Sequence, residues 1–168
     1  LWLARDDAGP RVLVPSGDPS GLNELAAGNA ERRGLPLLLP LLDLEDRSAL
    51  RATDVWGGFS DPIKTASARY GAEAVLVGRT IVGDAGWRGQ WTLLVGPTSQ
   101  SWESAGEEAS EIVAAGIDGA ADRLAARFAQ RDVTPSGVRV DVSGVRSVED
   151  YARALEYLSR LDLVGRLA

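Results

Sequence analysis

The chain has 168 residues, 24 acidic and 18 basic side chains, and a formal net charge of -6 at pH 7. It contains no His, Cys or Met, which excludes disulfides, zinc-finger sites and catalysis by thiol or imidazole groups. The acidic balance argues against nucleic acid or an anionic membrane as a partner, because both are bound by positively charged surfaces.

The first part of the chain predicts a hairpin followed by a helix. Residues 2–6 and 11–15 are apolar runs on either side of a turn-rich insert, which is typical of a β-hairpin. Apolar residues then recur at helical spacing over about 21–33, where Gly34 ends the pattern. The apolar run 35–42 predicts a strand covered on both faces, although its two prolines favour an edge or a bulge.

Helical segments and then a group of strands follow in the middle of the chain. A short helix is predicted over about 46–56, and a second helix opens at Ser60-Asp61-Pro62, with Ser60 as its cap. Strand-forming segments separated by glycine-containing turns predict an antiparallel three-strand meander over about 73–104. These segments are 74–82, 87–95 and 98–104.

The strongest helical pattern covers 107–131 and predicts a helix long enough to cross a whole sheet. The predicted class is therefore mixed α/β (α+β), a mixed sheet packed by helices. We expect a main domain over 1–131, a linker over 132–137, and over 138–168 the start of a second strand-helix-strand unit packed on the first. Residues 1–5 resemble the middle of a strand, so we expect a fragment or a processed product. No apolar run reaches membrane-spanning length.

Motifs for nucleophilic catalysis or phosphate binding do not occur. The sequence lacks Gly-x-Ser-x-Gly, the P-loop and the dinucleotide-binding glycine pattern. Lys64 is the only lysine and lies four residues after Ser60, which allows a Ser-Lys dyad, but a helix cap and a surface lysine are the favoured interpretation. We therefore expect no enzymatic activity and no cofactor.

Three carboxylates follow the apolar run 35–42 and allow two interpretations. Asp43, Glu45 and Asp46 could form a Mg²⁺ or Ca²⁺ site, because oxygen ligands at the end of a strand suit these ions. The favoured alternative is that Asp43 or Asp46 caps the next helix while Glu45 interacts with its positive end.

Tryptophans in the predicted meander also allow two interpretations. Trp87 and Trp91 share one face of a strand, and Trp102 lies on the next strand. Indole rings bind protein partners and stack on sugars, so the three could form a binding patch. The alternative, which we favour, is that they fill the space between the sheet and the long helix.

The order of several landmarks resembles the uncharacterised bacterial domain-of-unknown-function family 2066. The landmarks are Leu1-Trp2-Leu3-Ala4, Arg33-Gly34-Leu35-Pro36, Pro40-Leu41, Asp43, Val55-Trp56, Arg69-Tyr70, Val75-Leu76-Val77-Gly78-Arg79, Trp87, Trp91 and Asp150-Tyr151. The resemblance covers nearly the whole chain and implies an export signal and a periplasmic or envelope-associated protein of Gram-negative bacteria. At the level of the fold, the chain resembles the TolB amino-terminal domain and the penicillin-binding-protein activator lipoproteins, which are interaction modules.

Together, these observations predict a non-catalytic binding or scaffolding domain of the bacterial cell envelope. It would bind a protein partner through an exposed sheet edge or through the patch of Trp87, Trp91 and Trp102. The alternatives are a carboxylate-metal enzyme using Asp43, Glu45 and Asp46, and a small-ligand or glycan-binding module using the tryptophans.

Overall fold

A five-stranded mixed sheet forms the centre of the computed structural model, which describes residues 1–6, 9–129, 142–145 and 147–159. The strands are β1 (Trp2–Asp6), β2 (Val12–Leu13), β3 (Ala74–Gly83), β4 (Gly86–Val95) and β5 (Thr98–Gly106). Their order is β2-β1-β3-β4-β5; β1 and β3 are parallel, and the other neighbouring pairs are antiparallel. The structure confirms the predicted mixed α/β class and the three-strand meander.

Helices cover both faces of this sheet: α1 (Leu22–Arg32) and α5 (Ala109–Ala129) contribute to the core on one face, and α3 (Ala52–Gly57) and α4 (Ser60–Ser67) to that on the other. The chain also contains α2 (Leu44–Ala49) and α6 (Val148–Ser159), and α4 continues into a 3₁₀ turn over Ala68–Tyr70. The long helix predicted over 107–131 is thus confirmed as α5. The helix predicted over 21–33 is confirmed as α1, and Gly34, with φ 64°, follows its end.

Apolar side chains point alternately to the two faces of the sheet, and they form two hydrophobic clusters. Trp91 and Leu93 of β4 join residues of α1 and α5 in one cluster, while Leu94 joins residues of α3 and α4 in the other. Successive side chains of a strand point to opposite faces, so one strand contributes to both clusters. The sheet is therefore the middle layer of three.

The prediction of a strand over 35–42 is wrong, because this segment lies outside the sheet. Pro36 and Pro40 have no N–H group to donate to a ladder. The next two amides bond to side chains instead: the N–H of Leu41 donates to the hydroxyl of Tyr70 at 3.0 Å, and that of Leu42 donates to the carboxylate of Asp46 at 2.8 Å.

The single helix predicted over 46–56 is also wrong, because α2 and α3 are separate helices. Leu50 and Arg51 between them have extended backbone, which lets the Leu50 side chain enter the core at 1% exposure. The N–H of Arg51 donates to the carboxylate of Asp54 at 2.9 Å and so starts α3 anew. Ser60 is the first residue of α4 rather than its cap; Phe59 occupies the cap position.

The chain divides into two compact units, Leu1–Ala126 and Arg127–Ala168. In the second unit, the hydroxyl of Ser147 accepts a hydrogen bond from the N–H of Asp150 at 3.1 Å, as expected for a residue that caps α6. The predicted linker over 132–137 lies outside the described residues, and so do residues 138–141, 146 and 160–168 of the predicted strand-helix-strand unit.

Candidate functional site

Trp91 is a core residue and offers no surface to a partner. Its side chain is 0% exposed, and its indole N–H donates to the hydroxyl of Ser104 at 2.9 Å. That hydroxyl in turn donates to the carbonyl of Ile112 in α5 at 3.2 Å. Gly116 leaves the space for the indole ring, because a Cβ at this position would collide with it. Trp91 therefore joins the sheet to α5.

Trp87 and Trp102 are only partly buried, and both pack against the cluster that contains Trp91. Trp102 lies opposite Trp91 across the β4–β5 ladder, and the guanidinium of Arg123 lies 4.1 Å from its ring centroid. The Nε1 atom of Trp102 is buried and has no hydrogen-bond partner. Of the two interpretations, Trp91 fits the favoured one, a residue that fills the space between the sheet and the long helix, and it cannot be part of a surface patch. Trp87 and Trp102 pack against the same cluster and present only part of their rings at the surface.

The three carboxylates predicted as a metal site or a helix cap come together at the start of α2. The carboxylate of Asp43 accepts a hydrogen bond from the N–H of Asp46 at 3.0 Å, and Asp43 is the N-cap of the helix. Glu45 lies in the first turn, where a negative charge interacts favourably with the helix dipole. Asp46 is buried at 1% exposure, which is unusual for a charged residue.

Arg69 lies between these carboxylates and supplies their positive charge. Its guanidinium is 2.8 Å from an oxygen of Asp43, 3.1 Å from one of Asp46 and 3.4 Å from one of Glu45. The buried carboxylate of Asp46 also accepts a hydrogen bond from the Tyr70 hydroxyl at 2.5 Å. The group is thus an arginine-centred network that fixes the start of α2 to the end of α4.

The pKa values reflect this network. The hydrogen bond from Arg69, followed by that from the N–H of Asp46, lowers the pKa of Asp43 from 3.8 to about 2. The same pairing raises the pKa of the Arg69 guanidinium. Burial, and then the hydrogen bond to Asp46, raise the pKa of Tyr70. At neutral pH the pair of Asp43 and Arg69 is therefore ionised.

Metal binding receives no geometric support in the described ranges, where no group of three or more acidic residues has an arrangement that could hold an ion. Asp43, Glu45 and Asp46 do cluster, but around a guanidinium. Sequence reasoning missed Arg69, because no local spacing relates residue 69 to residues 43–46. Arg69-Tyr70 and Asp43 entered the sequence analysis only as separate landmarks of the family resemblance, which does not relate them in space.

The solitary lysine is also accounted for. The Nζ atom of Lys64 donates to the backbone carbonyl of Gly96 at 3.0 Å, which connects α4 to the turn between β4 and β5. Lys64 is exposed, and its ammonium group is bonded to this carbonyl rather than to a serine hydroxyl. The favoured interpretation of a surface lysine therefore fits the geometry better than a Ser-Lys dyad.

One edge of the sheet carries a long strand with exposed side chains. β5 is the outermost strand, and over the residues that the structure describes its ladder is formed with β4 alone. Ser99, Gln100, Ser101 and Glu103 are exposed along it. The opposite edge is formed by β2, which has only two residues.

Comparisons of the chain with family models, with curated proteins and with solved structures give no match. The structure itself defines the class, a mixed α/β sheet packed by helices on both faces. Among the described residues, no helix has the length and apolar character needed to cross a membrane.

Proposed function

We propose that the chain is a non-catalytic binding or scaffolding domain that binds a protein partner by strand addition at β5. The observation that carries the proposal is the position of this strand, which lies at the sheet edge and has exposed residues over Thr98–Ser101 and at Glu103 and Ala105. An extended segment of a partner can form backbone hydrogen bonds with such an edge, and its alternate side chains provide specificity.

The composition of β5 supports this role. Exposed edges usually carry lysine, proline or a bulge, which prevent unwanted pairing. Between Thr98 and Gly106 there is neither lysine nor proline, and Glu103 is the only charged residue. At roughly 3.4 Å per residue, the strand offers an edge of about 30 Å. The partly exposed ring of Trp102 would add an apolar contact beside it.

The location proposed for this activity is the periplasm or the cell envelope of a Gram-negative bacterium, with an envelope protein as partner. The support is the sequence resemblance to domain-of-unknown-function family 2066, with its implied export signal. A likeness to the TolB amino-terminal domain and to the activator lipoproteins belongs to the same proposal and concerns the fold alone.

Site-specific photo-crosslinking in the producing cells tests the proposal. A photoreactive amino acid replaces Gln100 on β5 or, as a control, Ala85 in the turn between β3 and β4; both positions are exposed. We expect one discrete protein adduct from position 100 and none from position 85, because only the former lies on the edge.

Two double variants test whether the crosslinked adduct depends on strand addition at β5. Ser99→Lys/Ser101→Lys places two charged side chains on β5 and should remove the adduct. The control Ser16→Lys/Ala85→Lys adds the same charge at exposed positions in turns and should leave it intact. Equal adducts from positions 85 and 100, or an adduct that survives in the β5 variant, would contradict the proposal.

A further inference from the structure

Every second residue of β5 directs its backbone hydrogen-bonding groups away from β4. Val95 and Thr98 face each other across a two-residue turn, so they form a hydrogen-bonded pair, and alternate residues of β5 after Thr98 also bond to β4. The N–H and C=O groups of the residues in between point to the open edge. These residues are Ser99, Ser101, Glu103 and Ala105. An added strand would form its hydrogen bonds with these four residues.

Trp102 is the midpoint of this strand. β5 has nine residues, Thr98–Gly106, so a second β5 that pairs antiparallel over the full length places Trp102 opposite itself. This register also pairs the residues with outward groups among themselves, Ser99 with Ala105 for example. Trp102 then forms a pair without hydrogen bonds, in which side chains are closest, and paired aromatic rings stabilise a sheet. The full-length register and the best side-chain pair therefore coincide.

The charge of the edge is compatible with a second copy. Glu103 is the only charged residue of β5, and in the symmetric register it lies opposite a serine. Like charges directly opposite each other would destabilise the ladder. The register centred on Trp102 avoids this contact, whereas a register centred one residue further along would bring the two Glu103 side chains together.

Helix α5 has small residues beside this edge. Gly119 packs against the ring of Trp102, and Ala115, four residues before Gly119, shares its face of the helix and is exposed. A two-fold axis through Trp102 would pass close to Gly119. Arg123 of one copy would then lie beside Ala115 of the other, displaced by about 12 Å along the helix axis from the second Arg123. The helix layer is thus as compatible with a second copy as the strand is.

The contact would be large enough for a specific dimer. The strand is about 30 Å long, and the sheet and helix layers together are roughly 20 Å deep. Edge-to-edge contact would bury roughly 600 Å² per copy, or about 1,200 Å² in total, which is the lower limit of the range for specific interfaces.

We propose that the partner of β5 is a second copy of this chain, joined by antiparallel strand addition around a two-fold axis at Trp102. The two sheets would become one continuous sheet. The inference rests on the proposed function, because both use the same edge, and it adds the identity of the partner. The crosslinked adduct from position 100 should accordingly have twice the mass of the chain.

Engineered cysteines test the register, since the chain has no cysteine of its own. Ser99→Cys in one copy and Ala105→Cys in the other would face each other with Cα atoms about 5.5 Å apart, which suits a disulfide. Either variant alone would hold its two cysteines six residues out of register, about 20 Å apart, which is too far. In a glutathione redox buffer we expect a disulfide-linked dimer from the equimolar mixture and none from either variant alone.

Sedimentation equilibrium of the purified chain measures the association. We expect a reversible dimer with twice the monomer mass of 17.8 kDa. Ser101→Pro removes an N–H group that points to the open edge, where proline is tolerated, and should raise the dissociation constant about tenfold or more. Ser101→Ala also lacks the hydroxyl but keeps the N–H, so its dissociation constant should remain that of the wild type. Circular dichroism verifies the fold of both variants, and if the proline variant does not fold, the cysteine mixture decides.

Three results would overturn the inference: a chain that stays monomeric at all concentrations, a dimer that a folded Ser101→Pro does not weaken, or a cysteine mixture that links no better than its separate components. A monomeric chain whose position-100 adduct contains a different protein would leave the proposed function intact. If there is neither a dimer nor an adduct, the proposed function fails as well.

Discussion

Asp43 combines two stabilising roles in one side chain. It caps α2 through the N–H of Asp46, and it pairs with Arg69, which reaches it from the 3₁₀ turn after α4. The first role requires only an acceptor oxygen, whereas the second requires a negative charge. Replacing Asp43 by Asn separates them, because Asn is also a good N-cap residue.

We expect Asp43→Asn to remove a pH-dependent part of the stability. The folded pKa of about 2 lies below the ordinary 3.8, so the contribution of Asp43 is fully present above about pH 4 and is lost as the pH falls through 2. Urea unfolding at several pH values between 7 and 2 should show the variant less stable at neutral pH, with the difference shrinking between pH 4 and 2.

Asp84→Asn is the matched control for this titration, since Asp84 lies exposed in the turn between β3 and β4. Its stability should follow that of the wild type across the range. A gap between wild type and Asp43→Asn that stays constant down to pH 2 would show that the ion pair with Arg69 does not stabilise the fold.

Sequence rules for helix ends predict the cap at Asp43, but they do not predict the ion pair with Arg69. The cap at Asp43 follows from its place before α2, since short polar side chains satisfy the first N–H groups of a helix. Arg69 lies 26 residues further along the chain, and only the packing of α4 against α2 brings it to the carboxylates. The burial of Asp46 likewise depends on this tertiary contact.

Helix α5 packs against strands β4 and β5 through small helix residues that lie opposite large strand residues. Gly116 faces Trp91, and a Cβ at Gly119 would lie 2.5 Å from the indole Nε1 of Trp102. Glycine is a poor helix former, about 1 kcal/mol less favourable than alanine. The two glycines therefore lower the intrinsic stability of α5 and in return allow the indoles close to its backbone.

Alanine should consequently have opposite effects at two helical glycines. Gly116→Ala is expected to destabilise the protein by about 1–3 kcal/mol, because its methyl group overpacks against the buried Trp91 ring. Gly28→Ala in α1 is the control: a Cβ there meets nothing within 4 Å, so the better helix propensity should stabilise by about 0.5–1 kcal/mol. Urea unfolding measures both, and a stabilising Gly116→Ala would contradict the packing described.

At the level of elements, the spacing of apolar residues predicts helices and strands correctly where the pattern is long, and wrongly where the backbone turns. The helix α5 and the meander have many repeats of one period, so each is predicted nearly to its ends. The segment over 35–42 is equally apolar, yet its prolines remove two donors and its next amides bond to Tyr70 and Asp46. The break at Leu50 depends on the depth of the core, which no local pattern encodes.

The core of the described molecule belongs to its first unit. Both hydrophobic clusters consist of residues before Ala126, and α5 supplies Ile112, Val113 and Ile117 to the cluster that surrounds Trp91. The sequence alone, which contains no His or Cys, excludes catalysis by imidazole or thiol groups.

Because these clusters lie in the first unit, we expect a polypeptide ending at Ala129 to fold by itself. It should unfold in urea in a single cooperative transition, with a free energy in the range of about 5–15 kcal/mol usual for domains. The near-ultraviolet circular dichroism of the buried Trp91 should be retained. A shorter polypeptide ending at Gly106 lacks α5 and exposes Trp91 and Leu93, so it should show no cooperative transition. If the longer polypeptide also unfolds without a transition, the fold requires residues after Ala129, and the buried clusters do not suffice to maintain the sheet.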